Sequence, residues 1–214
     1  MKTNSPYIFL IADDHSIVRN GLAMLIKSTF ESVILYQAGT FQEIQTQVAG
    51  MKIDFLILDI SFPEGNTLAL LPSLKLAQPD MKVMIFSSFE EEIYGLRYLK
   101  AGADGYLSKL ASPEDIQFAL KTWVSKGSYV SPKLQEGIYH SVISGNSGNP
   151  LDVLSKREKE VAMLLVNGNG NLEISNALEL QPTTVSTYKN RIFEKLGISN
   201  LSSLIAIFNL YHEA

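Results

Sequence analysis

The chain has 214 residues, of which 46% are hydrophobic and 19% are charged, a composition typical of globular and not of disordered proteins. It contains no cysteine, which excludes disulfide bonds and thiolate metal sites. The net charge is −4, and residues 151–214 carry six Lys/Arg against seven Asp/Glu. Any affinity for DNA must therefore come from a local basic cluster and not from a domain-wide positive field.

The first predicted element is a short apolar run, Tyr7–Ala12, which ends at two aspartates. It is too short for a signal peptide or a membrane span, so we expect a soluble, cytoplasmic protein with no membrane partner. Four further apolar runs follow, with amphipathic helical patterns between them: Val33–Tyr36, Phe55–Leu58, Val83–Phe86 and Gly105–Leu107. Nearly all-apolar strands that alternate with helices predict an α/β fold, a doubly wound five-stranded parallel sheet of the flavodoxin-like kind.

Polar residues stand at the carboxyl ends of four of these strands. They are Asp13 and Asp14 after the first, Asp59 after the third, Ser87 after the fourth and Lys109 after the fifth. Strand ends of such a sheet converge, and carboxylates so close together repel one another unless a cation lies among them. A hard divalent ion such as Mg²⁺ suits oxygen ligands. The pattern therefore predicts a phosphoryl site with Asp59 as the carboxylate nucleophile.

The segments IADDH, FLILDISFP, FSS and GADGYLSK resemble the CheY-like receiver domain of bacterial response regulators, over residues 6–127. The resemblance implies that a sensor histidine kinase phosphorylates Asp59 and that Asp13, Asp14 and Asp59 hold Mg²⁺. It also implies that Lys109 contacts the phosphate and that Ser87 and Tyr106 are the switch residues. One departure is Thr67, where the family usually has glycine eight residues after the phosphoacceptor; Gly65 lies two residues earlier.

We place the receiver domain at 1–130, a linker at 131–150 and a second domain at 151–214. From Ser144 the run SGNSGNP has no periodicity and indicates a flexible linker. Beyond it the patterns are helical throughout. A capping box at Ser155 and Glu158 opens a helix that runs to Val166. Three more are predicted, a short one around Glu173–Leu178, one from Pro182 to Gly197 and one from about Leu201 to Leu210.

The helix from Pro182 carries one apolar stripe: Val185, Tyr188, Ile192 and Leu196. LSKREKEVAMLLVNGNGNLEISNALEL and TTVSTYKNRIFEKLGISNLSSL resemble the helix-turn-helix of the NarL/LuxR (FixJ) family, with TVSTYK closest to the branch containing BvgA and EvgA. The resemblance implies base reading by Ser186, Thr187 and Asn190. Phosphate contacts are then expected from Lys189, Arg191 and Lys195. The family's usual basic residue at position 183 is Thr here.

These patterns together predict a response regulator transcription factor and not an enzyme. Phosphorylation of Asp59 is expected to promote a homodimer that binds inverted-repeat promoter sites on DNA. Two alternatives stay open. A haloacid-dehalogenase-type phosphohydrolase would also use Asp59, but it needs a second acid where this chain has Ser61. A receiver that is never phosphorylated could serve only for dimerisation. Acetyl phosphate, Mg²⁺ and an intact mass would separate the three.

Overall fold

A computed structural model of the chain describes residues 5–143 and 149–211. The chain divides into two compact units, Met1–Tyr139 and His140–Ala214. Within the described ranges, none of the helices combines the length and the apolar content needed to span a bilayer.

The first unit is built on a parallel sheet of five strands in the order β2-β1-β3-β6-β7. These strands are β1 (Tyr7–Ala12), β2 (Val33–Ala38), β3 (Phe55–Leu58), β6 (Lys82–Ser87) and β7 (Gly105–Ser108). In the register, Phe9 of β1 lies opposite Leu35 of β2 and Phe55 of β3. The order reverses direction beside β1, as a doubly wound sheet requires, so the predicted fold class is confirmed.

Five helices cover the two faces of this sheet. They are α1 (Ser16–Thr29), α2 (Phe41–Gly50), α3 (Leu71–Ala77), α4 (Glu91–Lys100) and α5 (Pro113–Lys126). Side-chain caps begin two of them, because the hydroxyls of Thr40 and Ser112 accept from backbone N–H groups one turn on. Buried aromatic rings join the sheet to α5. Phe55 lies 5.0 Å from both Phe9 and Trp123, measured between ring centroids.

A small hairpin between β3 and α3 was not predicted. Its strands, β4 (Ser61–Phe62) and β5 (Gly65–Asn66), pair antiparallel. Gly65 turns the chain with a φ of 131°, a conformation that side chains disfavour. This hairpin, and not a glycine at position 67, returns the chain toward Asp59.

Within the predicted 131–150 linker, Pro132–Ile143 forms a helix, α6, which the sequence analysis did not identify. Leu134 of α6 is buried and packs over Gly95 of α4, whose missing side chain makes room for it. The hydroxyl of Ser131 donates to Glu91 at 2.7 Å. The sequence analysis missed this helix because it assigned the whole of 131–150 to the linker. Most of the predicted flexible run, residues 144–148, lies outside the described residues.

The second unit is helical. A 3-10 turn (Pro150–Val153) precedes α7 (Lys156–Val166), α8 (Asn171–Leu178), α9 (Pro182–Leu196) and α10 (Leu201–Tyr211). The capping box of Ser155 and Glu158 is present as predicted. Gly197 ends α9 in the left-handed conformation with a φ of 66°. The predicted apolar stripe of α9 faces inward, with Val185 and Ile192 fully buried.

Candidate functional site

Backbone pairing brings the polar strand ends together. The N–H of Asp13 donates to Ala38 O at 3.1 Å, and the N–H of Asp59 donates to Ala12 O at 2.9 Å. These bonds extend the ladders of β2, β1 and β3 by one residue, which sets the two acids side by side. On the other flank, the N–H of Lys109 donates to Ser87 O at 2.8 Å. The sheet therefore positions this cluster.

Lys109 is the cation at the centre of the cluster. Its ammonium lies 2.8 Å from Asp59 Oδ2 and 2.6 Å from Asp13 Oδ2. Burial alone would lower the pKa of Lys109, but hydrogen bonds to Asp13 and Asp59 raise it above the ordinary value. The ammonium is therefore charged at neutral pH and attracts an anionic group to these carboxylates.

Asp59 is buried, and one of its carboxylate oxygens is already engaged. The N–H of Ile60 donates to Asp59 Oδ1 at 2.7 Å, so Oδ2 is the oxygen that faces Lys109. Burial raises the pKa of Asp59 above its usual range, and the hydrogen bond from Lys109 opposes that rise. A carboxylate with one oxygen fixed and the other beside a cation is arranged as a nucleophile toward an anionic electrophile.

The same edge of the sheet offers a donor set for a cation. Asp13, Asp14, His15 and Asp59 each present a ligand atom, and these atoms lie within 4.8 Å of one another. Asp13 Oδ2 and Asp14 Oδ1 are buried carboxylate oxygens at this edge. A nitrogen lies close to each: the Lys109 ammonium is 2.6 Å from Asp13 Oδ2, and the Nδ1 of His15 is 2.6 Å from Asp14 Oδ1. Oxygens placed in this way fit a hard divalent ion such as Mg²⁺.

The predicted switch residues lie beside this pocket. Ser87 is buried at the end of β6, and the Tyr106 side chain is buried within the unit. The Tyr106 hydroxyl donates to Phe89 O at 2.9 Å, in the loop that follows Ser87. Burial raises the pKa of Tyr106, which keeps the hydroxyl protonated as a donor. The β6–α4 loop is thus tied to β7 through one aromatic side chain.

Two residues that the sequence reasoning did not assign to the site hold its backbone. Arg19 donates to Asp13 O at 2.6 Å from the second turn of α1. Thr67 is fully buried, and its hydroxyl donates to Asp59 O at 2.8 Å. Thr67 stood out in the sequence only as a departure from the glycine usual at that place. For Arg19 the sequence carried no comparable signal.

In the second unit, α9 presents an exposed polar face. Thr187, Asn190 and Arg191 are exposed on it. The Lys189 ammonium lies 5.6 Å from the centre of the Phe193 ring on the same helix. Hydroxyl, amide and guanidinium groups on one face can bond base edges and phosphates in a major groove.

Two of the predicted DNA-contacting residues have partners within the protein. The Lys195 ammonium lies 2.7 Å from the buried carboxylate of Glu158, in an ion pair inside the unit. A phosphate contact by Lys195 stays a prediction and would compete with that ion pair. Ser186 is half-buried, and its hydroxyl donates to Pro182 O and accepts from Asn171 of α8 at 3.1 Å. Both of these contacts compete with base reading by Ser186.

Each of the two units matches a known protein family. Residues 9–121 match the response regulator receiver domain, and residues 152–208 match the bacterial regulatory proteins of the luxR family. Among characterised proteins, the chain is 32% identical over 204 residues to the oxygen regulatory protein NreC of Staphylococcus aureus. That match covers 92% of this chain and 94% of NreC.

Solved structures share the fold. The response regulator RcsB in complex with DNA matches with a TM-score of 0.74 at 22% identity, covering 96% of this chain and 98% of that one. RcsB of Salmonella enterica serovar Typhimurium, bound to the promoter P1flhDC with the phosphomimetic BeF3-, matches with a TM-score of 0.70 at 24% identity. It covers 98% of this chain and all of that one.

Proposed function

The chain belongs to the NarL/LuxR family of response regulator transcription factors, and from that premise we propose that Asp59 accepts a phosphoryl group which controls dimerisation and DNA binding. The observation that supports this most is the contact between Lys109 and Asp59 Oδ2 in a buried acidic pocket. The phosphoryl donor in the cell is a sensor histidine kinase, as for receivers in general.

The reaction is a phosphoryl transfer to a carboxylate. Asp59 Oδ2 forms a bond to phosphorus while the bond from phosphorus to the donor breaks, and that electron pair leaves with the donor. With a phosphohistidine the leaving atom is the imidazole nitrogen; with acetyl phosphate it is the acetate oxygen. Lys109 attracts the phosphoryl oxygens and stabilises their charge. Mg²⁺ held by Asp13, Asp14 and Asp59 supplies further charge neutralisation when bound.

Phosphorylation changes the contacts of Lys109 and Ser87. A phosphoryl group on Asp59 offers oxygens to the ammonium and to the Ser87 hydroxyl. Because the N–H of Phe89 approaches Ser87 Oγ at 3.4 Å and Tyr106 bonds Phe89 O, a shift of Ser87 moves the loop that carries both. This loop leads into α4, so the surface around α4 carries the change. Lys109→Ala leaves phosphorylation possible but uncouples it from DNA binding.

The second unit binds DNA through α9. Thr187 and Asn190 read bases, with Ser186 beside them, while Lys189 and Arg191 contact phosphates. One helix with so few cations binds a single half-site weakly, and two linked copies gain affinity through effective concentration. A phosphorylation-dependent homodimer on an inverted repeat follows. Solved structures of RcsB, a relative in fold, include two dimers bound to two DNAs.

The domain boundaries follow from the same assignment. Residues 1–130 form the receiver and 151–214 the DNA-binding domain. The segment 131–150 between them includes α6, so its first half is not a flexible chain. The linker that we propose therefore begins with a helix, Pro132–Ile143.

The experiment is an intact-mass measurement after incubation with acetyl phosphate and Mg²⁺. Wild type gains one phosphoryl group, and Asp59→Asn gains none because the amide keeps the shape but lacks the nucleophilic oxygen. Asp80→Asn, which alters an exposed carboxylate elsewhere, is labelled like wild type. Labelling of Asp59→Asn at the wild-type rate would show that the phosphoacceptor is another residue. Turnover without a stable adduct would favour a phosphohydrolase.

A further inference from the structure

The loop after Asp59 is closed by a buried threonine. Thr67 is 0% exposed, and its N–H donates to Ile60 O at 2.9 Å. Three oxygens lie within reach of its hydroxyl: Asp59 O at 2.8 Å, Ile60 O at 3.2 Å and the Tyr98 hydroxyl at 3.3 Å. A glycine at this place, usual among relatives, has no hydroxyl to offer any of them.

The protons of this cluster can be assigned by distance. A hydroxyl donates one proton, and the shortest bond of Thr67 is to Asp59 O. Tyr98 donates to Asn66 Oδ1 at 2.6 Å, and Asn66 Oδ1 also accepts from the N–H of Leu68 at 2.7 Å. Tyr98, on α4, therefore holds β5 and the start of the next segment, while Thr67 holds the carbonyl of the phosphoacceptor itself.

Asp59 is consequently held at three points around its reactive oxygen. Its N–H bonds Ala12 O, its Oδ1 accepts from the N–H of Ile60, and its carbonyl accepts from Thr67. Asp59 lies just beyond the last residue of β3, Leu58, where the pairing with β6 has ended. The Thr67 hydroxyl takes over the role that a sheet bond would have and limits rotation of the Asp59 peptide.

We propose that Thr67 is a positioning residue for the phosphoryl transfer. The hydrogen bond from Tyr98 to Asn66 holds the neighbouring residue of the same loop in place. The inference rests on the proposed function, since it concerns how Asp59 Oδ2 is aimed. The Thr67 hydroxyl reaches Asp59 through the backbone carbonyl, and among the described residues neither Lys109 nor the carboxylates of Asp13 and Asp14 hydrogen-bond that hydroxyl. Loss of that hydroxyl therefore lowers the maximal rate of transfer and leaves the half-saturating concentration of acetyl phosphate unchanged.

The test measures the rate of phosphorylation of the full-length protein against acetyl phosphate concentration at fixed Mg²⁺. Thr67→Val keeps the branched shape and removes the hydroxyl. It lowers the maximal rate by about ten- to a hundredfold, which is the loss expected when a reacting group is displaced. Thr67→Ser, which keeps the hydroxyl, stays within about threefold of wild type. The maximal rate of Tyr98→Phe lies between those of Thr67→Val and Thr67→Ser. Thr46→Val removes an exposed hydroxyl on α2 and serves as the matched control.

The split between rate and half-saturation separates positioning from damage to the fold. If Thr67→Val does not fold, Tyr98→Phe and Thr67→Ser still decide, because the first is expected to be slow and the second fast. Equal maximal rates for Thr67→Val and wild type overturn the inference, as does a Thr67→Ser protein as slow as Thr67→Val. Such results leave the proposed function standing. A wild-type protein that takes up no phosphoryl group overturns the proposed function and this inference together.

Discussion

Asp59 and Glu158 are both buried acids in contact with a lysine, yet their pKa values are displaced in opposite directions. Burial raises the pKa of Asp59, the hydrogen bond from Lys109 opposes that rise, and the nearby Asp13 adds to it. The hydrogen bond from Lys195 lowers the pKa of Glu158 to about 2. Glu158 also accepts from the N–H of Ser155 at the start of α7. The first arrangement suits an acid that reacts, and the second suits one that stabilises.

The Glu158–Lys195 pair predicts an acid-sensitive second unit. The pKa of Glu158 is about 2 in the folded protein against 4.5 ordinarily, so its stabilisation is present above about pH 4.5 and is lost as pH falls toward 2. Because 42% of the Lys195 side chain is exposed, solvent screening limits the effect to about 1 kcal/mol. Circular dichroism of urea unfolding measures it, while the fluorescence of Trp123 follows the first unit.

Two variants distinguish this pair from the general titration of acids. Glu158→Gln should be less stable than wild type at pH 7, with a difference that shrinks as the pH approaches 2 to 3. Glu160→Gln, which changes an exposed acid on the same helix, should follow wild type throughout. A Glu158→Gln deficit that stays constant with pH would argue against the ion pair as its source.

At this scale, the acids and the lysine of the pocket could be predicted because strand-end positions follow from the alternation of apolar runs. Thr67 could be flagged but not explained, since its role depends on a hairpin that only two residue pairs define. The ion pair between Lys195 and Glu158 could not be predicted, because the two residues lie 37 positions apart on different helices. The phosphate contact expected of Lys195 stays a prediction.

Among the elements, α6 departs most from the sequence prediction. Periodicity identified the five strands and the helices of the second unit, because their apolar residues repeat on a buried face. The α6 sequence does carry apolar residues four apart, Leu134, Ile138 and Val142, but the sequence analysis assigned the segment to the linker. The packing of Leu134 against a glycine of α4 depends on a gap in another helix, which the sequence of α6 alone does not reveal.

This packing predicts the effect of filling the gap. A Cβ added at Gly95 would lie 2.5 Å from Leu134 Cδ2. Glycine to alanine within a helix normally stabilises by about 1 kcal/mol, whereas overpacking costs about 1 to 3 kcal/mol. We expect Gly95→Ala to destabilise the first unit and to raise hydrogen exchange in α6. Urea unfolding followed by Trp123 fluorescence and exchange mass spectrometry measure the two effects.

The matched control is Gly137→Ala in α6 itself, where an added Cβ meets no atom within 4 Å. That change should raise the free energy of unfolding of the first unit. Leu134→Ala should restore room in the Gly95→Ala background, so the two substitutions should couple by about 0.5 to 3 kcal/mol. Strict additivity, or a stabilising Gly95→Ala, would mean that α6 does not rest on α4 in solution.

Across the whole molecule, sequence discrimination and general affinity for DNA are expected from different side chains of α9. On a duplex obtained by selection from random DNA, Asn190→Ala should lower the preference over a scrambled duplex. Arg191→Ala should weaken binding to both duplexes alike and reduce the salt slope by about one unit. Titrations at two salt concentrations measure both. Equal weakening of both duplexes by Asn190→Ala would show that this residue does not read bases.

The proposed function assigns phosphoryl acceptance to the first unit and DNA binding to the second, and it requires that the first unit controls the second. The most direct measurement is the affinity for the selected duplex, with the stoichiometry of the complex, before and after phosphorylation by acetyl phosphate. We predict that phosphorylation raises the affinity of wild type by about tenfold or more, with two chains bound per duplex, and does nothing for Asp59→Asn. Equal affinity and one chain per duplex for fully phosphorylated wild type would contradict the account.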